Sequence, residues 1–369
     1  MHAPLLSPLE KALVDGWQRG FPLVSRPFAA IAETIGRDEA GVLAATAALI
    51  DRGIVSRLGP VVRPNTAGAS TLAALACPPE RVDDFAEIVS AEPGVNHNYE
   101  REHPELPLWF VATGADRAAV DATLDRLRAA TGCDVLDLRL VREYRIDLGF
   151  ALDGPCAPRL HAPAKRSANA AEKALLAALD DGLPLTARPY ERLAATLGLD
   201  ERDVLGRLAD LVEAGIVKRL GYVVRHRPLG WSANAMVVFD IAEDEVDTVG
   251  ERFLGTPSIT LLYRRRPAGP RWPYALYAMI HGRDRATVED EAARLVARAP
   301  EARGHRLLFS TRCFKQTGAR HGRGDRRRPP SPSTRSTGAS STPCRAASRS
   351  SPAPMRRRPR RSASTRPSC

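Results

Sequence analysis

The sequence predicts an α+β fold built from two tandem copies of one unit, each a winged helix-turn-helix followed by a ferredoxin-like βαββαβ domain. The first observation is an internal repeat: GFPLVSRPF at 20–28 returns as GLPLTARPY at 182–190, and RGIVSRLGPVVR at 52–63 returns as AGIVKRLGYVVR at 214–225. The second is the spacing of apolar residues, which is helical at the start of each copy and then alternates between strands and helices. Order and register persist over about 150 residues, which indicates a duplication.

Three helices are predicted at the start of each copy. Leu9, Leu13 and Trp17 lie at helical spacing. Pro27 suits the first turn of a second helix, and Gly53 suits the end of a third. The apolar face of that third helix comprises Val42, Leu43, Thr46, Leu49 and Ile50, matched in copy 2 by Val204, Leu205, Leu208, Leu211 and Val212. The IVSRLGPVVR and IVKRLGYVVR segments are predicted as β-hairpins, which would complete a winged helix-turn-helix.

The second part of each copy alternates between strands and helices. In copy 1 we predict strands at 70–77, 95–101, 108–113 and 134–144, with helices at 80–91 and 115–130. Copy 2 repeats this order. The pattern is that of an antiparallel sheet covered by helices on one face. The open face must also be covered, so we expect the two copies to pair through their sheets.

The repeat divides the chain into six segments. They are a winged helix-turn-helix at 5–66, an αβ domain at 67–152, a Pro- and Ala-rich linker at 153–170, a second winged helix-turn-helix at 171–228, a second αβ domain at 229–320 and an Arg/Pro/Ser-rich tail at 321–369. The tail has too few large apolar residues to bury a core, so we predict that it is disordered.

The net charge of +11 is concentrated in that tail. The tail holds 13 arginines and one acidic residue, so the first 320 residues hold 41 basic and 42 acidic residues. The high isoelectric point is therefore no sign that the folded part binds nucleic acid.

Other features exclude several classes of protein. No apolar run is long enough for a membrane span, and the N-terminus lacks the pattern of a secretory signal, so we expect a cytoplasmic protein. The six cysteines form no C-x-x-C pair and no zinc spacing, so we expect reduced thiols and no metal site.

DNA recognition by the helix-turn-helix is not expected. Base reading requires Arg, Lys, Asn or Gln on the second helix of the motif. The segment EAGVLAATAALID at 39–51 contains none of these residues. Copy 2 offers Arg202 and Arg207 among several acids. A structural, dimer-forming role is the favoured interpretation.

The densest polar cluster is GVNHNYEREHP at 94–104. On a strand, alternate side chains share a face, so His97, Tyr99 and Arg101 are predicted to point one way. Together they offer a group that titrates near neutrality, a phenol and a fixed cation for carboxylates. A lone histidine on a strand is more often structural, and that alternative stays open.

The chain resembles a known family. The predicted domain order is similar to that of the Lrp/AsnC regulators. More specifically, GVNHNYEREH, LGYVVRHRPLGWSANAM, RWPYALYAMIHGRDR and FSTRCFKQTGAR resemble segments of siroheme decarboxylases, which act in haem d1 synthesis and in the alternative haem pathway. The resemblance spans roughly residues 5 to 320, and the two-copy arrangement looks like that of the fused proteins of the family.

The resemblance implies a carboxy-lyase, a carbon–carbon lyase that removes CO2 from two acetate side chains of siroheme. The product is 12,18-didecarboxysiroheme, and no cofactor is implied beyond the iron of the substrate. Loss of CO2 leaves electron density that an acid must protonate. We expect His97 to be that acid and Tyr99 to assist it.

The substrate carries many carboxylates, so cations are expected around it. The candidates are Arg101, Arg145, Arg264, Arg265 and Lys315. Tyr263 and Trp272, and further Trp109, Tyr274 and Tyr277, are candidates to flank the macrocycle, although ordinary sheet packing would explain each one equally well. His103 and His281 are reserve candidates for the acid.

Two other functions stay open at this point: a DNA-binding transcriptional regulator, and a tetrapyrrole sensor in which His97 ligates iron without turnover. Copy 2 keeps the tyrosine of the cluster as Tyr263 but has Leu261 in the histidine position. One mixed site between the copies is therefore favoured over two equal sites. Further homo-oligomerisation stays open.

Overall fold

The computed structural model describes residues 6–146, 149, 152, 163–318 and 321. Most of the predicted linker, residues 153–162, lies outside the described residues, and so does the predicted tail from residue 322 onward.

Each copy begins with three helices, as predicted. Copy 1 has α1 (Pro8–Gly16), α2 (Pro27–Ile35) and α3 (Glu39–Asp51), and copy 2 has α6 (Ala170–Ala178), α7 (Pro189–Leu197) and α8 (Glu201–Glu213). Ser7 and Glu10 form a capping box that starts α1, and Asn169 and Glu172 do the same for α6. Gly36 ends α2 in the left-handed conformation that favours glycine.

The predicted hairpins are wrong. The segment in copy 1 is a single strand, β1 (Val55–Val62), and that in copy 2 is a single strand, β7 (Val217–Val224). The two pair antiparallel with each other, with Gly59 opposite Gly221. Glycine is required at 221 because a Cβ there would lie 2.2 Å from the Trp17 carbonyl oxygen. The wings thus join the two helix-turn-helix domains, whose apolar residues form one shared core.

Apart from the closing strand of copy 1, the αβ domains contain the predicted elements with small shifts in their ends. Copy 1 has β2 (Ala69–Leu75), α4 (Val82–Ala91), β3 (Val95–Arg101), β4 (Leu108–Gly114), α5 (Arg117–Thr131), β5 (Val135–Leu138) and β6 (Leu140–Ile146). Copy 2 has β8 (Ala233–Asp240), α9 (Val246–Phe253), β9 (Ile259–Arg265), β10 (Leu276–Gly282), α10 (Arg285–Ala297) and β11 (Gly304–Gln316). Short 3-10 helices lie at Pro79–Arg81 and Arg227–Leu229.

The closing strands cross between the copies, which the sequence did not reveal. The predicted strand 134–144 is in fact two strands: β5 pairs with β2 in its own copy, whereas β6 pairs with β9 of copy 2. Similarly, β11 pairs with β8 up to Phe309, and from Ser310 it pairs with β3 of copy 1. The nine strands form one continuous sheet in the order β5-β2-β4-β3-β11-β8-β10-β9-β6, in which β11 joins the copy 1 sheet (β5-β2-β4-β3) to the copy 2 sheet (β8-β10-β9-β6).

The expected pairing of the copies through their sheets is confirmed. One apolar cluster contains residues from both sheets, including Trp109 from β4, Tyr277 from β10 and Trp272 from the loop before β10. Two further clusters pack the helices against the outer faces of the sheets. No helix among the described residues is long and apolar enough to span a membrane.

Candidate active site

The polar face of β3 is arranged as strand alternation predicts. The rings of His97 and Tyr99 stack with centroids 6.2 Å apart, and the Arg101 guanidinium lies 5.8 Å from the centroid of the Tyr99 ring. Asn98 points to the opposite face, where its amide donates to the Ala86 carbonyl of α4 at 3.0 Å. The three residues therefore share the face that is turned towards copy 2.

Arg101 connects this face to copy 2. Its Nη1 donates to the Leu308 carbonyl at 3.1 Å, and its Nη2 lies 3.8 Å from the Met279 sulfur. Met279 belongs to β10, two residues before His281, so the two side chains share a face of that strand. Arg101 thereby brings β10 next to the His97 face.

Copy 2 adds two histidines and an arginine. The rings of His226 and His281 meet edge to face with centroids 4.7 Å apart. The Nδ1 of His281 is 2.8 Å from the Thr260 hydroxyl. Arg227 follows His226 and lies within electrostatic reach of Tyr99 and Arg101. We call the six residues His97, Tyr99, Arg101, His226, Arg227 and His281 the histidine cluster.

Burial keeps the histidines of the cluster neutral. It lowers the pKa of His97 to about 4, and the Arg57 guanidinium acts in the same direction. Burial likewise lowers the pKa of His226 to about 4, assisted by Arg227, and it lowers the pKa of His281 well below its usual value. Burial raises the pKa of Tyr99, so its phenol keeps its proton. Near neutral pH the cluster thus combines neutral imidazoles with a protonated phenol.

The Nδ1 of His97 and the Nη2 of Arg227 are buried, and neither has a hydrogen-bond partner among the described residues. Buried polar groups are almost always satisfied, because an unmade hydrogen bond costs about 1–3 kcal/mol. Both atoms can therefore form a hydrogen bond with a polar ligand without displacing a protein partner.

The structure does not bring Arg145 and Lys315 to this cluster. Lys315 donates to the carbonyls of Ser90 and Glu92 at the end of α4, at 2.8 and 3.2 Å. Arg145 donates to the Thr256 carbonyl just beyond α9, at 3.3 Å. Each is a cation at the C-terminal end of a helix in the other copy, where the helix dipole favours positive charge.

The residues predicted from β9 are also engaged elsewhere. Arg264 lies on the outer face and pairs with Asp247 and Glu243, as the alternation of β9 requires. Arg265 repeats the role of Arg101: its Nη1 donates to the Leu138 carbonyl at 2.7 Å, and it lies over the Tyr263 ring. Tyr263 lies within electrostatic reach of Arg101 and thus borders the cluster.

The other aromatic and histidine candidates have packing roles. Trp272 is buried between the sheets, 5.1 Å from Trp109 and 4.8 Å from Tyr274 between ring centroids, and its indole donates to the Tyr277 hydroxyl at 2.7 Å. His103 accepts from the backbone of Leu106 at 3.0 Å, in the turn before β4.

Sequence reasoning missed His226 and Arg227. They follow β7 at positions where copy 1 has Pro64 and Asn65, given the offset of 162 residues. Copy 2 thus has a histidine that copy 1 lacks, just as copy 1 has His97 where copy 2 has Leu261. A full comparison of the two copies for histidines present in only one would have identified His226 in addition to His281, which the sequence already offered as a reserve candidate.

Comparison with known proteins agrees with this architecture. The chain matches the model of the AsnC-like ligand binding domain at 67–145 and 228–315. It also matches that of the siroheme decarboxylase NirDL-like HTH domain at 10–55 and 172–217. Both matches occur once in each copy.

Full-length relatives share the same organisation. The siroheme decarboxylase NirDL subunit of Paracoccus denitrificans is 49% identical over 318 residues, which cover 84% of this chain and 96% of that protein. The crystal structure of the siroheme decarboxylase NirDL is 27% identical with a TM-score of 0.63, over 85% of this chain and 93% of that one. A co-complex of NirDL with an iron-uroporphyrin III analogue has a TM-score of 0.61 over the same shares. The chain therefore belongs to the siroheme decarboxylase family.

Proposed function

We propose that the protein is a siroheme decarboxylase that converts siroheme to 12,18-didecarboxysiroheme and acts in haem d1 synthesis. The observation that carries the proposal is the histidine cluster, with the unsatisfied Nδ1 of His97 and the unsatisfied Nη2 of Arg227. The cluster lies between the copies in a chain of this family, one of whose solved structures is a complex with an iron tetrapyrrole.

The reaction is a proton-assisted decarboxylation. The bond between the acetate methylene and its carboxylate breaks, and CO2 leaves. The electron pair stays on the methylene carbon, in conjugation with the pyrrole, until that carbon accepts a proton and becomes a methyl group. Each CO2 that leaves therefore consumes one proton, which the site must deliver to carbon.

His97 is the proposed proton donor, and Tyr99 is its neighbour in the stack. Burial and Arg57 hold the pKa of His97 at about 4 in the folded protein. Substrate carboxylates bring negative charge beside the ring, which favours the protonated imidazole. Substrate binding would thus protonate His97. The Tyr99 phenol can donate a hydrogen bond both before and after this step.

Arg227 and Arg101 are the proposed carboxylate-binding groups. Arg227 forms no ion pair within the described part of the chain, and its Nη2 is unsatisfied, so a carboxylate can pair with it without displacing a protein partner. Arg101 already donates to the Leu308 carbonyl, so it presents its remaining donors in a fixed orientation. His226 and His281 form the opposite side of the cluster.

The proposal includes no cofactor beyond the substrate iron, and it places the reaction in the cytoplasm. One chain supplies both halves of the cluster, from β3 of copy 1 and from copy 2. A single chain is therefore sufficient for the site, whether or not chains associate further.

The test is anaerobic incubation of the full chain with siroheme, followed by mass analysis of the tetrapyrrole. We expect loss of two CO2 by the wild type. The His97→Ala variant should turn over about 10²-fold more slowly, because it lacks the acid. The matched control is His305→Ala, which removes an exposed histidine of β11 and should leave the rate within about twofold.

Two outcomes would contradict the proposal. Equal rates for wild type and His97→Ala would remove His97 from the mechanism. Tight binding of siroheme without loss of CO2 would support a tetrapyrrole sensor in place of an enzyme.

A further inference from the structure

Because the chain is duplicated, a second position corresponds to the histidine cluster. It is formed by the same elements with the roles of copy 1 and copy 2 exchanged. There the counterparts of His97, His226, Arg227 and His281 are Leu261, Pro64, Asn65 and Thr113. Tyr263 and Arg265 are the counterparts of Tyr99 and Arg101. The second position thus keeps the tyrosine and the arginine, but none of the histidines.

The crossing strands differ in the same way. In β11, Cys313 pairs with Tyr99, whereas at the equivalent point of β6 it is Glu143 that pairs with Tyr263. The Glu143 carboxylate accepts from Lys218 and lies 3.1 Å from the Arg63 guanidinium. These side chains are almost excluded from solvent, at 2% exposure for Lys218, 10% for Arg63 and 11% for Glu143.

This buried ion cluster has no equivalent at the first position. The counterpart of Lys218 is Ser56, whose hydroxyl donates to the Val223 carbonyl at 2.9 Å. Lys218 also donates to the Ile146 carbonyl at the end of β6. The ion cluster therefore fixes β6 against β7 with buried charges that are already matched, and a carboxylate ligand there would have to compete with Glu143 for both cations.

We propose that the chain contains one decarboxylation site, the histidine cluster, and that Glu143, with Lys218 and Arg63, closes the related position. The inference rests on the proposed function. It follows that both acetate groups react at the same residues, one after the other. The tetrapyrrole must turn within the site, or leave and rebind, between the two losses of CO2, and the acid must regain a proton from solvent in between.

The experiment replaces His97 by the residue that the second position naturally carries. With one site, His97→Leu should slow both losses of CO2 by about 10²-fold, so siroheme is recovered intact. With two sites, each serving one acetate, His97→Leu would yield the product that has lost a single CO2, and the inference would be overturned. The matched control at the second position is Leu261→Met, which should leave both losses unchanged.

Binding stoichiometry gives an independent measurement. Titration of the full wild-type chain with iron-uroporphyrin III should end at one equivalent per chain, and an end point of two would overturn the inference. Retention of the wild-type circular dichroism spectrum by His97→Leu would show that lost turnover is not lost folding. A wild type that releases no CO2 from siroheme would refute the proposed function itself, an outcome distinct from a single-CO2 product of His97→Leu.

Discussion

His226 and His281 meet edge to face, with their ring centroids 4.7 Å apart, on the copy 2 side of the histidine cluster. Both imidazoles are buried, and the Arg227 and Arg101 guanidinium groups lie within electrostatic reach of His281. A proton on either ring would face this positive charge in a medium that solvates it poorly. The pair is therefore stable only when neutral.

The neutral histidines make stability depend on pH. The pKa of His226 is about 4 in the folded protein and about 6.5 in the unfolded chain, so between these values the unfolded state binds a proton that the native state excludes. The free energy of unfolding should fall as pH is lowered through this window, by about 1.4 kcal/mol per pH unit for each such histidine. When urea unfolding is measured between pH 4.5 and 6.5, the free energy of unfolding of His226→Gln should change less steeply with pH than that of the wild type, by about 1.4 kcal/mol per pH unit. Identical slopes for wild type and variant would contradict the assignment.

Arg227→Ala should weaken ligand binding without weakening the fold. The variant removes a guanidinium whose Nη2 has no partner within the described chain, so little native hydrogen bonding is lost. A charged hydrogen bond to a ligand carboxylate contributes about 1.5–3 kcal/mol, so the Kd for iron-uroporphyrin III should rise about 10- to 100-fold. Arg202→Ala, which removes an exposed arginine of α8, controls for net charge. Equal increases in Kd for both variants would indicate nonspecific electrostatics.

Lys315→Met tests two roles for Lys315. The sequence predicts that it binds a substrate carboxylate, whereas the structure supports stabilisation of the end of α4. Lys315 donates to two carbonyls at the end of α4, so its loss should lower the free energy of unfolding by about 1 kcal/mol. Turnover of siroheme should change by less than about twofold, as measured by mass analysis. A tenfold rise in KM with unchanged stability would instead support carboxylate binding by Lys315.

Glu143→Gln should be strongly destabilising. It leaves Lys218, at 2% exposure, without its carboxylate partner, and breaking a buried ion pair costs about 3–5 kcal/mol. The double variant with Lys218→Met should recover part of that loss, because the uncompensated ammonium is then gone. Urea unfolding of the two variants checks this order. A double variant less stable than Glu143→Gln would show that Lys218 contributes mainly through the Ile146 carbonyl.

Local patterns in the sequence were sufficient for the helices, for most strands of the αβ domains and for one half of the site. Helical spacing and the proline and glycine positions predicted the helix-turn-helix helices, and strand alternation placed His97, Tyr99 and Arg101 on one face. The repeat predicted that the copies pair. These features depend on near neighbours in the chain, which a single sequence displays directly.

The contacts between the copies could not be predicted from the sequence. A strand such as β1 satisfies its hydrogen bonds equally well in a hairpin or with β7, so local pattern cannot choose between them. The same ambiguity concealed the crossing of β6 and β11, and with it the helix-end roles of Arg145 and Lys315. The position of His226 beside His281 depends on that pairing too.

The crossing of β6 and β11 has a consequence for folding. Each sheet is completed by a strand from the other half of the chain. Neither half can therefore satisfy its edge alone, and separation would expose both an open strand edge and the aromatic layer that contains Trp109 and Tyr277. Heating should accordingly melt the two halves in a single cooperative transition, and a fragment that carries only one half should aggregate unless the other is supplied with it.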